Sequence, residues 1–598
     1  MALTDHIRKD SPTNNFATCN PLANGGTLEE GNLRFKHVGN NATKSTLSTF
    51  SLPNSGTYYW EIYEETAIPN NSRVSFGICD SKHAVKAAQS QYIIFETDSH
   101  GYTDRTNVGN PSFVVNGNNT GTFGSDYTVN YGSGGVISFY VNMDTAAFTV
   151  GRNNAAYKSY SFTKNENIFY TPFFNLYCEG SQTLSQIVNF GQDATFAGVK
   201  SDTAGPYTDA NGHGEFYYSP PSGALALCTQ NIPTPSVDSA AGDEPEDFFK
   251  CSLYTATGST QSISVGFQPD LVWIKGRDAT RVPIISDSVR GITYYIIPSI
   301  TNGETNISGG VADNLVKSTS TTGFTIGSDS AVNVSSEKFV AWCWKAGGAP
   351  ASDGVAMVNG TATTTAALKT SASASITPTR MSVNTKTSFS IVKYTSPNNS
   401  SDQTVPHGLS SAPNWIIVKN LDNTYNWDIY HSSVSNSGIF TNAAINSRTA
   451  FGTVNNSIFT TKNTFTHNST HNYIAYCWHS VPGYSAFGSY TGNGSSDGPF
   501  VYTGFRPSWI IVKWISGGSG LTTGSWRIMD TARNPYNPAT LDLMANEAVS
   551  ETTYGSDDLD MLSNGFKWRS TGSFHNYNNA NYIYMAFAEQ PINYANAR

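Results

Sequence analysis

One segment shape occurs three times in the C-terminal two-thirds of the chain. PDLVWIK (269–275), PNWIIVK (413–419) and PSWIIVK (507–513) each run from a proline through four apolar residues to a lysine, with identical spacing. A glycine precedes each proline, in GFQP (266–269), HGLSSAP (407–413) and GFRP (504–507). Each copy closes on an aromatic run: FVAWCW (339–344), YIAYCW (473–478) and YIYMAF (582–587). The period is about 100 residues, the size of a domain rather than of a solenoid turn. Between the two ends lies a second apolar stretch: PIISD (283–287), WDIYH (427–431) and WRIMD (526–530). Copies one and three continue as DSVRG and DTARN, keeping Asp-x-x-Arg; copy two has His431 in place of the aspartate and no arginine.

Throughout the chain, short apolar runs of alternating or continuous character are separated by Gly, Asn, Ser and Pro clusters, the pattern of an all-β protein. Helical periodicity is confined to DSKHAVKAAQ (80–89) and TLDLMANEA (540–548). In residues 11–200, TYYWEIYEE (57–65), RVSFGICD (73–80), VISFYVNMD (136–144), AAFTVGRN (146–153) and TPFFNLYCEG (171–180) read as strands with one buried face, which two stacked sheets would satisfy. The expected organisation is an N-terminal arm (1–10), a β-sandwich (11–200), a linker segment (201–248), and a first β repeat (249–350). An Ala/Ser/Thr-rich linker (351–387), a second repeat (388–485) and a third (486–598) follow. Copies two and three, with no gap between them, are expected to pack as a rigid pair.

Charged residues make up 13% of the 598, aromatics another 13%, and the net charge is −9, so the surface is polar but weakly charged. A nucleic-acid footprint would need clustered Lys and Arg, and the chain has no such tract. The opening MALTDHIRKD lacks a signal-like apolar core, and no window approaches the ~18 apolar residues of a membrane span. The seven cysteines are scattered singly, as expected of free thiols in a reducing cytosol.

The order YYWEI, VSFGI, VISFYVNMDTAAFTV, PFFNLY, VNFGQ resembles SPRY domains over about 180 residues. The resemblance implies a concanavalin-A-like β-sandwich whose loops bind a partner. More widely, DSPTNNFATCNPL (10–22), FYYSPPSGALALCTQNIPTP (216–235), DSVRG, the WIIVK strands and FGSYTGNGSSDGPFVYTGFRP (487–507) resemble SPRY-containing structural proteins of tailed bacteriophages. That likeness implies a virion protein of tail-fibre or appendage type, synthesised in the bacterial cytoplasm. Its implied partners are other virion proteins and a host surface glycan or protein. A homo-oligomer is implied too, trimers being common among fibres.

No constellation for catalysis emerges. Glu96 and Asp98 share a strand face, as do Glu61 and Tyr63, but His100 and Gly101 stand where a concanavalin-like glucanase would carry a third acid. Asp557, Asp558 and Asp560 lack the glycine and terminal glutamate of an EF loop, and His467 and His471 have no third ligand. No catalytic residue, metal or cofactor is therefore expected. The Asp-x-x-Arg pairs either face a ligand or fix the turn after a strand. Candidate ligand contacts are Arg290, His431 and Arg533 at that position, Trp427 and Trp568 near turns, and Tyr102, Tyr425 and Tyr536 in loop-like sequence, since aromatic faces bind at small entropic cost. The leading expectation is a non-enzymatic tail-fibre or appendage subunit that binds the host surface. A capsid or tail decoration or connector protein without receptor binding is the alternative, and a polysaccharide depolymerase the third.

Overall fold

The computed structural model describes residues 14–39, 41–69, 71–105, 112–122, 133–201, 205–237, 241–304, 315–397, 401–439, 449–462, 470–518, 524–553 and 558–589. The N-terminal arm, His467 and Asp557 lie outside these residues. The chain is all-β and divides into two units, one built mainly from residues up to 234 and the other from 235–498 and 505–591. Strand counts below refer to the described residues.

In the first unit, one sheet of seven strands runs in the order Cys19–Asn24, Ala42–Ser48, Tyr170–Cys178, Arg73–Asp80, His100–Arg105, Ser112–Val115, Asn118–Thr122. The other places Thr57–Glu64 at its centre, between Val136–Asn142 and Thr183–Asn189. Alternation along TYYWEIYE explains the layering: Tyr58, Trp60 and Ile62 enter the core between the sheets, where Trp60 stacks on Phe139 at 4.8 Å. Tyr59, Glu61 and Tyr63 point to the opposite face, yet they too are buried, because residues 205–234 fold over it. Ala224–Ala226 pairs with Thr57–Tyr59, and the Tyr217 and Tyr218 amides donate to Glu61 at 2.9 and 2.7 Å. Burial pushes the Glu61 carboxyl up to about 7. The first part of the expected linker 201–248 is thus a structural cover.

In the second unit each repeat places its opening strand beside its closing strand: Leu271–Gly276 with Lys338–Trp344, Trp415–Asn420 with Asn472–Trp478, Pro507–Gly517 with Ala580–Ala588. The register is the same in all three, Leu271 opposite Trp344, Trp415 opposite Trp478 and Trp509 opposite Phe587. On the other side the second strand pairs equally regularly, setting Asp287, His431 and Asp530 opposite Leu271, Trp415 and Trp509.

Both faces of these sheets are covered, which is why the opening strands read as continuous apolar runs rather than alternating ones. Val272 and Ile274, with their counterparts Ile416 and Val418, face the core each repeat forms with its own small three-stranded sheet. Leu271 and Trp273, Trp415 and Ile417, Trp509 and Ile511 face a different core, common to all three repeats. Eight of the chain's eleven tryptophans lie in that shared core. At its centre is an entirely apolar cavity of about 20 Å³. With no polar partner in its lining, such a cavity stays dry.

The first two repeats keep cores of their own, and the shared core makes one body of all three. Two expectations are corrected here. Residues 351–387 are not a linker: Val355–Val358 and Thr361–Thr364 form a hairpin on the second repeat's sheet, and Thr365–Ala372 is a helix. The Thr364 side chain caps that helix by accepting from the Ala367 amide, and Ser373 closes it in the left-handed conformation. Finally, Leu541–Met544, in the stretch read as helical, is a strand.

Candidate functional site

The Asp-x-x-Arg pairs are buried, and each arginine is bound by its own turn. Arg290 donates through Nε to Asp287 Oδ2 at 2.5 Å, through Nη2 to the Ile285 carbonyl and through Nη1 to Glu304. Arg533 repeats the pattern with Asp530 at 2.6 Å, the Ile528 carbonyl and Glu551. Burial opposes the charge on each guanidinium, but the adjoining aspartate more than offsets it and the pKa is raised. Both guanidiniums are fully enclosed, so Arg290 and Arg533 fix the turn and do not face a ligand.

The remaining capacity of each aspartate is met by a neighbouring repeat. Tyr476 Oη of the second repeat donates to Asp287 of the first at 2.7 Å, and Trp342 Nε1 of the first donates to Asp530 of the third at 3.3 Å. Tyr476 and Trp342 occupy the same position in their closing strands, where the third repeat has Met585. Met585 offers no N–H or O–H, and the second repeat, which the cyclic order sets against the third, carries His431 instead of an aspartate. His431 accepts from the Ser433 amide at 3.0 Å, lies against the Tyr584 main chain, and is held neutral by burial, its pKa lowered to about 3. The departure of copy two from the motif is therefore the third junction of a closed ring.

Segments following the second strands also cross to a neighbour. In the first repeat, the Ile300 carbonyl accepts from Trp427 Nε1, the Thr301 carbonyl from Lys419 Nζ, and the Glu304 amide donates to the Leu421 carbonyl. In the third repeat, the Glu551 amide donates to the Arg277 carbonyl at the equivalent position, and its carboxylate binds the Arg277 guanidinium at 3.0 and 2.8 Å. The repeat lysines belong to the same architecture. Lys275, Lys419 and Lys513 are buried on carbonyl oxygens, and burial lowers them to about 7, 8 and 7.

Of the aromatic candidates, Tyr102 lies on a strand rather than in a loop, buried and stacked on Phe76 at 4.9 Å. Trp427 is buried beneath Ile300, and Trp568 is buried against His575 at 4.0 Å. With His431, Arg290 and Arg533 they are structural, their apolar or bonded surroundings leaving no ligand-facing surface. Tyr425 is half-buried, its carbonyl bound by Lys419. Tyr536 is 83% exposed. The structure does not bring Tyr425 or Tyr536 together with any other candidate. The carboxylates Glu96 and Asp98 are in ion pairs with Lys86 and Lys82.

A different place has the form of a binding site. A groove of about 740 Å³ lies between the end of the first repeat's closing strand and the segment 355–386. Its floor is Gly347–Gly348; a Cβ on Gly347 would come within 2.3 Å of the Met357 carbonyl and 2.4 Å of the Val383 carbonyl. One wall is the Asn359–Gly360 turn, both residues at positive φ, tied to Thr385 by two hydrogen bonds of 2.7 and 2.9 Å. On the other side Lys345 and Lys386 sit 5.4 and 6.0 Å from the Phe248 ring centroid, and Lys386 pairs with Asp243 at 2.6 Å. Asp270 anchors the floor, accepting from Ser288 and from the Ala346 and Gly348 amides, while burial raises its pKa. The groove mixes polar groups with apolar surface, is preformed and is of ligand size. Sequence reasoning missed it because segment 351–387 looked like a linker; the Asn-Gly pair between MV and TAT was the available signal.

The second unit thus defines a class of protein in which three β repeats are interlocked around one aromatic core. The chain belongs to the family described as a domain of unknown function, DUF7483, whose model matches residues 244–591. Comparison with curated proteins found no match. Among solved structures, the chain is similar to the SPRY domain of human HERC1, at 15% identity over 28% of this chain and 96% of that one, with a TM-score of 0.22. The TRIM65 PSpry domain follows at 12% identity, 29% and 92% coverage and a TM-score of 0.21. Stonustoxin gives 10% identity, 29% and 28% coverage and a TM-score of 0.21. The sandwich of the first unit rests on its strand pairing, not on these likenesses.

Proposed function

We propose that this protein is a bacteriophage virion component, an appendage or tail-fibre subunit that attaches to the host cell surface without cleaving it. The observation that carries the reading is the preformed groove, framed by glycine-dependent backbone within a body whose buried Asp-x-x-Arg pairs are committed to structure. A repeated subunit with one modest site gains attachment strength by avidity, so a deep pocket is not required. The sequence resemblance to phage structural proteins supplies the virion setting.

The test is competition. Purified protein at saturating concentration is expected to bind host cells and slow adsorption of the virions that carry it. Failure of a folded sample to do either overturns the adhesion reading, and imaging of the chain on capsid or tail body away from the host-facing parts would favour a decoration role.

A further inference from the structure

The groove between Gly347–Gly348 and the Asn359–Gly360 turn indicates what kind of surface molecule is held, an inference that rests on the adhesion reading. Its lining includes, beside apolar surface, side chains able to exchange hydrogen bonds with hydroxyl groups, among them Gln268, Asn359, Asn384 and Thr385. The only aromatic ring in the described lining, that of Phe248, is buried, with two ammonium groups near it, so it acts as a support for charge. The two lysines differ. Lys386 is matched by Asp243, whereas Lys345 has no carboxylate within ion-pair distance among the described residues. The other acid of the groove, Asp270, is turned into the floor and consumed by two main-chain amides and Ser288.

A polyhydroxylated ligand with one negative charge satisfies these features together. An acidic sugar gives the partly exposed Lys345 ammonium a counter-charge that a neutral sugar lacks, and an extended apolar peptide would strip water from amides and hydroxyls without replacing it. The volume accommodates an oligosaccharide of a few residues. We propose that the groove binds an acidic oligosaccharide, a sugar carboxylate meeting Lys345 and ring hydroxyls meeting the Asn359 and Thr385 wall.

Isothermal titration of the full chain with tetragalacturonate, a hyaluronan tetrasaccharide and a sialylated trisaccharide tests this, with the methyl-esterified form of each as a charge-free match. Binding of at least one acidic form is expected, weakened about tenfold or more by esterification and by Lys345→Gln, since a charge-assisted contact is lost in both cases. Tyr536→Ala, outside the groove, is expected to leave it unchanged. Binding of none of the three, equal binding of ester and acid, indifference to Lys345→Gln in a variant with native circular dichroism, or equal binding of hexaglutamate overturns the proposal. The adsorption assay separates it from the adhesion reading. If Lys345→Gln protein competes with virions as well as the parent, adhesion stands and the groove is not its site. If the parent binds the acidic sugar but does not slow adsorption, the groove stands and the adhesion reading falls.

Discussion

Asp287, Asp530 and His431 show how a buried position is specified by what faces it. Each aspartate sits where a neighbouring repeat supplies an O–H or N–H; the histidine lies against the Tyr584 main chain of the third repeat, whose closing strand carries methionine at the matching position. Tyr476→Phe removes one donor to Asp287 and is expected to lower unfolding free energy by about 1–3 kcal/mol in urea titrations. His431→Asp should cost more, because no arginine waits there to neutralise a buried carboxylate. The repeat lysines give a pH dependence. In the unfolded chain they keep their protons to about pH 10.4, whereas in the folded chain burial releases them near 7 to 8. Between those limits the unfolded state binds more protons, so stability rises with pH from about 7 towards 10 and levels off below 7. Urea midpoints across that range should rise less steeply in Lys419→Met, with Lys275 and Lys513 still contributing. The positions were legible in the sequence as a spacing repeated between copies, and turn-fixing was one of the two roles it allowed; that a third residue from another repeat completes each pair was not.

Among the elements, segment 351–387 separates composition from structure most clearly. Its alanines, serines and threonines suggest a spacer, yet the Asn-Gly turn and the capping threonine commit it to a hairpin and helix on the second repeat's sheet. Limited proteolysis is expected to spare it; rapid cleavage within 355–372 would contradict the structure. Gly347→Ala places a methyl group against two main-chain carbonyls and should destabilise by about 1–3 kcal/mol, read as a lower urea midpoint. Strands with markers repeated three times were readable because repetition multiplies a weak signal. The groove was not, because its walls come from unrelated stretches that meet only after the hairpin docks.

In the second unit, the opening strands of the first two repeats carry two alternating sets of side chains for two cores, one private and one shared with the third. An isolated repeat, such as residues 249–350, would expose the second set and is expected to aggregate or lack near-ultraviolet circular dichroism. Trp509→Ala should cost about 3–5 kcal/mol. It should also move the melting of all three repeats together, because the indole touches Trp342 and Trp344 of the first repeat; separate transitions in calorimetry would refute the common core. All-β class and repeat number could be read from the sequence, but register could not, and nothing local tells a strand buried in one domain from a strand buried between three. The ring of junctions has a consequence for descent. A duplicated copy whose polar partner sits in the next copy cannot drift alone: a change at 287, 431 or 530 is tolerated only with an answering change at 476, 585 or 342. Relatives should therefore keep their differences in pairs that straddle the junctions, and grafting one repeat from another family member would have to bring half of each adjoining pair with it.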